Sequence, residues 1–191
     1  MNDHTQSDHT RSDHTARHPL GAWRTRPETA EDAAAVHAVH AAAFETGAEA
    51  DLVDALRADP DAWLPGLSQV AEAPDGSVAA HALLTRCRVD GAPALALAPV
   101  GVLPGHQRTG AGSAVVRAVL DAARVRGERL VLVLGHPAYY PRFGFRPASA
   151  YGIRPGFAVP DDAMMALVLE GSGGSGPLPR GTIEYPAVFG V

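Results

Sequence analysis

The residues best suited to chemistry begin in one stretch of the chain. Gln107-Arg108-Thr109-Gly110-Ala111-Gly112-Ser113 places Gln107, Gly110 and Gly112 in a Q-x-x-G-x-G spacing. The stretch follows an apolar run ending at Val102 or Leu103, which reads as a strand stopped by Pro104-Gly105. After it, Ala111, Val115, Val116, Val119, Leu120 and Ala123 recur at three- and four-residue steps, which predicts an amphipathic helix ended by Gly127. Glycines at the junction of a strand and a helix N-terminus leave backbone N–H groups without helical partners and with partial positive charge. Such a site suits a phosphate or pyrophosphate, and glycine lets the backbone approach the anion without a Cβ in the way.

Three phosphate loops compete for this pattern. A Walker loop requires a lysine after its glycines, and the sequence contains none. A dinucleotide fingerprint requires G-x-G-x-x-G, a spacing absent here. The third is a coenzyme A loop. On its own the stretch reads equally as a plain helix start with glycines in a turn, so the choice rests on the residues downstream of the helix. There a second apolar run, Leu130-Val131-Leu132-Val133-Leu134, leads into Gly135-His136-Pro137-Ala138-Tyr139-Tyr140-Pro141-Arg142-Phe143-Gly144-Phe145.

The two motifs, in this order and about 30 residues apart, resemble the cofactor site of the GNAT N-acetyltransferase superfamily. Gln107 to Gly112 is similar to that family's acetyl-CoA loop, and Tyr139 to Phe145 to its aromatic-Tyr-x-x-x-Gly-Phe signature. The resemblance covers roughly residues 22–170 as an order of elements and is specific over 97–113 and 130–145. It implies an α/β fold: a mixed, mostly antiparallel central sheet, helices on both faces, and a parallel strand pair that splays at the cofactor site. The implied activity is acetyl transfer from acetyl-CoA to a primary amine of a small molecule or peptide, by direct attack in a ternary complex.

The resemblance also distributes roles. Backbone N–H groups from Arg108 through Thr109, Gly110, Ala111 and Gly112 to Ser113 would hold the pyrophosphate, with Gln107 opening the loop. The pantetheine arm would pair with the strand edge at Val100, Gly101 and Val102, and the Val102 N–H would face the thioester oxygen. Tyr140 is the candidate general acid for the leaving sulfur, because a phenol stays protonated at neutral pH and can donate to a developing thiolate. The base is open among Glu49, His81, His136 and water. Glu49 begins a helix beside the acceptor wall, where helix-start acids are common. His81 sits inside a strand, a place more typical of a satisfied core histidine. His136 ends a strand, where ligands of α/β sheets gather, and a histidine there suits proton transfer near neutral pH. A second reading keeps the cofactor and drops the chemistry: an acyl-CoA-binding sensor or partner-binding module. A nucleotide-phosphate binder is disfavoured by the missing lysine.

The rest of the chain supplies the scaffold for these residues. Residues 1–18 repeat Asp-His-Thr at 3–5, 8–10 and 13–15 and read as a disordered polar tail. Its histidines raise metal binding, but a flexible polar tract must be ordered to close on an ion, and no metal site is assigned. Residues 19–191 read as a single domain. Trp23 to Arg26 predicts a first strand, Thr29 a helix cap, and Ala33 to Phe44 and Glu49 to Ala58 two helices. Pro74-Asp75-Gly76 and Asp90-Gly91 mark hairpin turns in an antiparallel meander. Residues 163–169 form a late strand, 171–177 are Gly/Ser-rich, and the apolar ending at 181–189 is expected to dock on the body.

Composition bounds the remaining possibilities. A net charge of −5 leaves no nucleic-acid footprint. The single cysteine, Cys87, permits no internal disulfide and agrees with a reducing compartment. Without a signal core or a long apolar span, a cytoplasmic protein with no membrane partner is expected. Dimers are common among similar proteins, which makes a homodimer the expected assembly if the chain is not monomeric.

Overall fold

The computed structural model describes residues 23–169 and 176–191. The repetitive tail and most of the Gly/Ser-rich segment lie outside those residues. A mixed sheet organises the domain: β1 (Arg24–Pro27), β2 (Ser68–Glu72), β3 (Val78–Val89) and β4 (Ala92–Val102) are joined antiparallel in that order. β4 then pairs in parallel with β5 (Leu130–Leu134), and β5 pairs antiparallel with β8 (Met164–Val168). Short strands complete the edges: β6 (Arg146–Pro147) on β8, and β7 (Ile153–Arg154) beside β9 (Gly181–Glu184), which also joins the end of β3.

Helices cover both faces, as expected. On one face α1 (Ala33–Ala43) and α2 (Ala48–Ala58) bury Val36, Val39, Val53 and Leu56 against Val70 and Leu83. On the other, α3 (Ala111–Val125) buries Ala111, Val115, Val116, Val119, Leu120 and Ala123, the same six positions that its periodicity marks. Its end is a Schellman turn: Gly127 takes φ +83°, with Gly127 N–H to Arg124 O at 3.0 Å and Glu128 N–H to Ala123 O at 3.0 Å.

Two local features shape the middle of the sheet. Asp90 (φ +44°) and Gly91 (φ +77°) form a two-residue turn between β3 and β4. The Asp90 carboxylate then accepts the Thr182 N–H at 3.0 Å, which ties the C-terminal segment to this hairpin. Further along β4, Ala82 faces Val100 while Leu84 faces Leu97. β4 therefore carries one extra residue at Ala98-Pro99, a bulge of the kind that accommodates a proline in a strand.

The bulge coincides with the parting of β4 and β5. They pair only at Leu95–Val131 and Ala96–Leu132, after which β4 runs on to Val102 with that edge open. Leu103 donates its N–H to Ala79 O at 2.9 Å, so Leu103 faces β3. Strand alternation turns Gly101 toward β3 as well, and turns the backbone groups of Val100 and Val102 to the open edge.

Candidate active site

The cleft between the parted strands holds two cavities. One, of about 760 Å³, is bordered by Val100 and Val102, the loop residues Gln107, Arg108, Gly110, Gly112 and Ser113, and Tyr139. The other, of about 440 Å³, runs from Glu49 and Leu52 past Leu97, Ala98 and Leu134 to Phe157, Tyr185 and Phe189. Phe44, Val100, His136 and Tyr140 border both. The cleft therefore has two adjoining arms that meet at these four residues, one polar and glycine-rich and the other apolar.

The polar arm is built by the start of α3. Arg108 and Gly110 take left-handed φ values of +61° and +100°, which turn the chain sharply out of the Pro104–His106 turn into the helix. The first bond of the helix is Ala114 N–H to Gly110 O at 2.9 Å. Among the described residues, no backbone acceptor meets the N–H groups of Ala111, Gly112 and Ser113. A side chain at Gly112 would lie 3.1 Å from Val102 Cγ2 and 3.2 Å from the Tyr139 hydroxyl, closing the arm. These features fit an anionic group laid against backbone. Trp23 braces the loop from outside, its indole N–H on Thr109 O at 3.2 Å. Thr109, Ala111 and Gly101 do not border the cleft: Thr109 binds His106 O, Ala111 is buried in the core, and Gly101 faces α1. Gln107 reaches back to Val102 O at 3.4 Å.

The aromatic motif closes the cleft from the β5 side. Gly135 follows β5, and the turn Tyr140–Phe143 folds back so that the Tyr140 ring lies over Gly135. Tyr140 packs edge-on against Tyr139 and Phe145, with ring centroids at 5.1 and 5.7 Å. Burial, aided by Tyr139, pushes its phenol up to about 12, so it holds its proton. Arg142, exposed on the turn, lies over the Tyr139 ring at 4.5 Å and donates to Tyr139 O at 2.8 Å. Tyr139 brings its hydroxyl beside Gly112. His136 is exposed at the junction of the two arms, and Glu49 is half-buried in the apolar arm.

His81 is closed to the site. It is fully buried, and both its ring nitrogens are engaged: Nδ1 with His40 Nε2 at 2.8 Å, and Nε2 with Ser68 Oγ at 2.7 Å and Glu28 Oε2 at 3.3 Å. Glu28 also pairs with Arg57 at 2.7 Å and accepts the Ser68 hydroxyl. Burial alone would raise the Glu28 carboxyl; hydrogen bonds from His81 and Ser68, with Arg57, bring it down to about 2. Desolvation lowers both histidines, His40 to about 3. An ionised Glu28 only accepts, so His81 carries its proton on Nε2 and accepts from His40 Nε2–H. His40 Nδ1 is left without a proton or a partner, 2.7 Å from where a Cβ on Gly101 would stand. Sequence reading missed this relay, because its members come from four separate segments. The strand position of His81 was the one available signal.

The likenesses to known proteins agree with this geometry. Residues 28–145 match the model of the Acetyltransferase (GNAT) family. Over 122 residues the chain is 38% identical to YjhQ, an uncharacterized N-acetyltransferase of Escherichia coli K12, a match covering 62% of this chain and 66% of YjhQ. The fold superposes on the crystal structure of the E. coli GNAT family N-acetyltransferase YhbS in complex with CoA, with TM-score 0.78 and 28% identity over 89% of this chain and 93% of that one. A GNAT family acetyltransferase of Brucella melitensis in complex with acetyl-CoA matches with TM-score 0.70 and 31% identity over 87% of this chain and 97% of that one. By its two motifs, its splayed strand pair and these likenesses, the chain belongs to the GNAT family of acyl-CoA-dependent acetyltransferases.

Proposed function

We propose that this protein transfers the acetyl group of acetyl-CoA to a primary amine by direct attack in a ternary complex. The observation that carries this reading is the meeting of the two arms at Phe44, Val100, His136 and Tyr140, which border both. A thioester laid along the open edge of β4 would meet an amine arriving through the apolar arm at that junction. The pyrophosphate lies on the N–H groups at the start of α3, with Gln107, Arg108, Gly110 and Ser113 around it and Gly112 keeping the approach open. Thr109, Ala111 and Gly101 contribute through backbone shape. The pantetheine arm pairs with Val100 and Val102, and the Val102 N–H polarises the thioester carbonyl.

The amine must first become neutral. His136, exposed at the junction, takes the ammonium proton and passes it to solvent; Glu49 attends the acceptor. The amine nitrogen then attacks the carbonyl carbon, the C–N bond forms and the C–S bond breaks. Tyr140 gives its proton to the sulfur, and the second amine proton restores the phenol through solvent. An ammonium and acetyl-CoA thus become an amide, CoA and one released proton. Cys87 is a buried thiol pushed up to about 12 by desolvation, which gives it no nucleophilic part; as the single cysteine of the chain it agrees with the reducing cytoplasm we propose as the compartment.

Calorimetric titration with acetyl-CoA, followed by thiol release on a panel of amines, tests the reading. Saturable cofactor binding with turnover on an amine is the expected result. No binding at millimolar acetyl-CoA by the folded protein overturns it. Binding without turnover on any amine favours the sensor reading instead.

A further inference from the structure

We propose that the acceptor is a primary amine with an aromatic or branched apolar body, the body lying between Phe44, Leu52, Leu134, Phe157, Tyr185 and Phe189 and the ammonium held by Glu49. This rests on the acetyl-transfer reading and names its substrate class.

The apolar arm is bared hydrophobic surface in a concave place. Leu134 is 44% exposed where β5 has left β4, and Val191 is 70% exposed at the rim; both border this arm. Apolar side chains gathered in such a hollow mark a ligand surface. The far wall is aromatic: Phe157 and Tyr185 stand 6.5 Å apart by ring centroid, and Tyr185 and Phe189 5.1 Å. The Tyr185 hydroxyl is used on Met164 Sδ at 3.8 Å. The volume, about 440 Å³, suits an amine carrying a ring or a branched chain.

The charge pattern selects the class. Among the described residues, Glu49 is the one acidic side chain bordering this arm. Its polar contact is the Thr46 hydroxyl at 3.5 Å, and among the described residues no basic group lies within ion-pair distance of it. One unpaired carboxylate in an apolar wall recognises one cation. A polyamine or aminoglycoside would leave further ammonium or hydroxyl groups unpartnered against Phe157 and Leu134, which is costly. The acyl chain of a longer thioester would leave Glu49 desolvated against hydrocarbon, so the arm fits the amine rather than the acyl donor.

The test is initial-rate thiol release at saturating acetyl-CoA with n-butylamine, n-hexylamine, phenethylamine, spermidine and an aminoglycoside. We expect kcat/KM to rise about fourfold per methylene along the alkylamines, as burial of CH₂ groups predicts, and to exceed that for spermidine at least about tenfold with phenethylamine. Phe157→Ala should lower kcat/KM for phenethylamine about tenfold and leave acetyl-CoA affinity unchanged. Leu134→Ser, at an exposed position, gives the same readout if Phe157→Ala fails to fold. Equal or better turnover of spermidine or the aminoglycoside overturns the proposal while leaving acetyl transfer standing. A flat alkylamine series with rates climbing from acetyl-CoA to hexanoyl-CoA also overturns it, by assigning the arm to the acyl chain. Calorimetric binding of phenethylamine in the presence of CoA, without turnover, supports the amine class and overturns the transfer reading instead.

Discussion

The Tyr140 ring occupies the space that a side chain on Gly135 would need: a Cβ there would stand 3.0 Å from Tyr140 Cδ2 and closer still to Cε2. The end of β5 thus sets where the phenol sits, and a methyl group at 135 must displace it. Misplacing a catalytic group by an ångström costs about 10²-fold. Gly135→Ala should therefore lower kcat by that order with the fold intact. A kcat within about threefold of wild type, well short of that cost, would break the link between Gly135 and the proposed proton donor.

Tyr140→Phe isolates the hydroxyl. The ring keeps its contacts with Tyr139 and Phe145, so acetyl-CoA affinity should hold. In the proposed mechanism the hydroxyl meets the sulfur mainly as negative charge develops, so its loss should fall on the transition state. General-acid help of this kind is worth roughly 10²–10⁴-fold in kcat. With its phenol raised to about 12 by burial, Tyr140 should contribute no falling limb to the pH–rate profile below pH 10 or so. If Tyr140→Phe retains wild-type kcat, the thiolate leaves unassisted or takes its proton from water.

Gly112→Val addresses the polar arm. The new side chain would press on Val102 Cγ2 and the Tyr139 hydroxyl, where contact distances are already 3.1 and 3.2 Å for a Cβ alone. Calorimetry should find acetyl-CoA binding lost while circular dichroism shows the fold retained. Undiminished affinity would remove the start of α3 as the pyrophosphate site.

The buried relay makes a pH prediction. His40 is held neutral, its pKa lowered by burial from 6.5 to about 3. Between those values the unfolded chain binds a proton that the folded chain does not, so stability falls as pH falls below 6.5. Glu28, lowered from 4.5 to about 2, adds a loss of the same sign only below 4.5, as its carboxylate must be protonated. Urea denaturation at pH 7 and pH 5 therefore reads the histidines apart from Glu28. His40→Leu should reduce the stability lost between those pH values by about 2 kcal/mol, at roughly 1.4 kcal/mol per pH unit for one proton. An unchanged loss would mean that His40 is not held neutral by the fold.

Much of this site is local and is written in the sequence. The repeat of Ala111, Val115, Val116, Val119, Leu120 and Ala123 dictates which face of α3 is buried, because a 3.6-residue period admits one apolar stripe. Gly110 and Gly127 mark its ends because each stands at positive φ. Asp90-Gly91 dictates its hairpin for the same reason. The spacing of Gln107, Gly110, Gly112, Tyr140 and Gly144 carries the family. Tertiary structure decided the rest. The separation of β4 from β5 depends on register along two strands and on one extra residue at Ala98-Pro99, which periodicity does not encode. The apolar arm brings Phe44, Leu134, Phe157 and Phe189 together from four distant segments, and the relay does the same for Glu28, His40, Ser68 and His81. Side chains that meet only through packing leave no pattern in the order of residues, so the motifs of the polar arm stand in the sequence and the apolar arm became visible only in the fold.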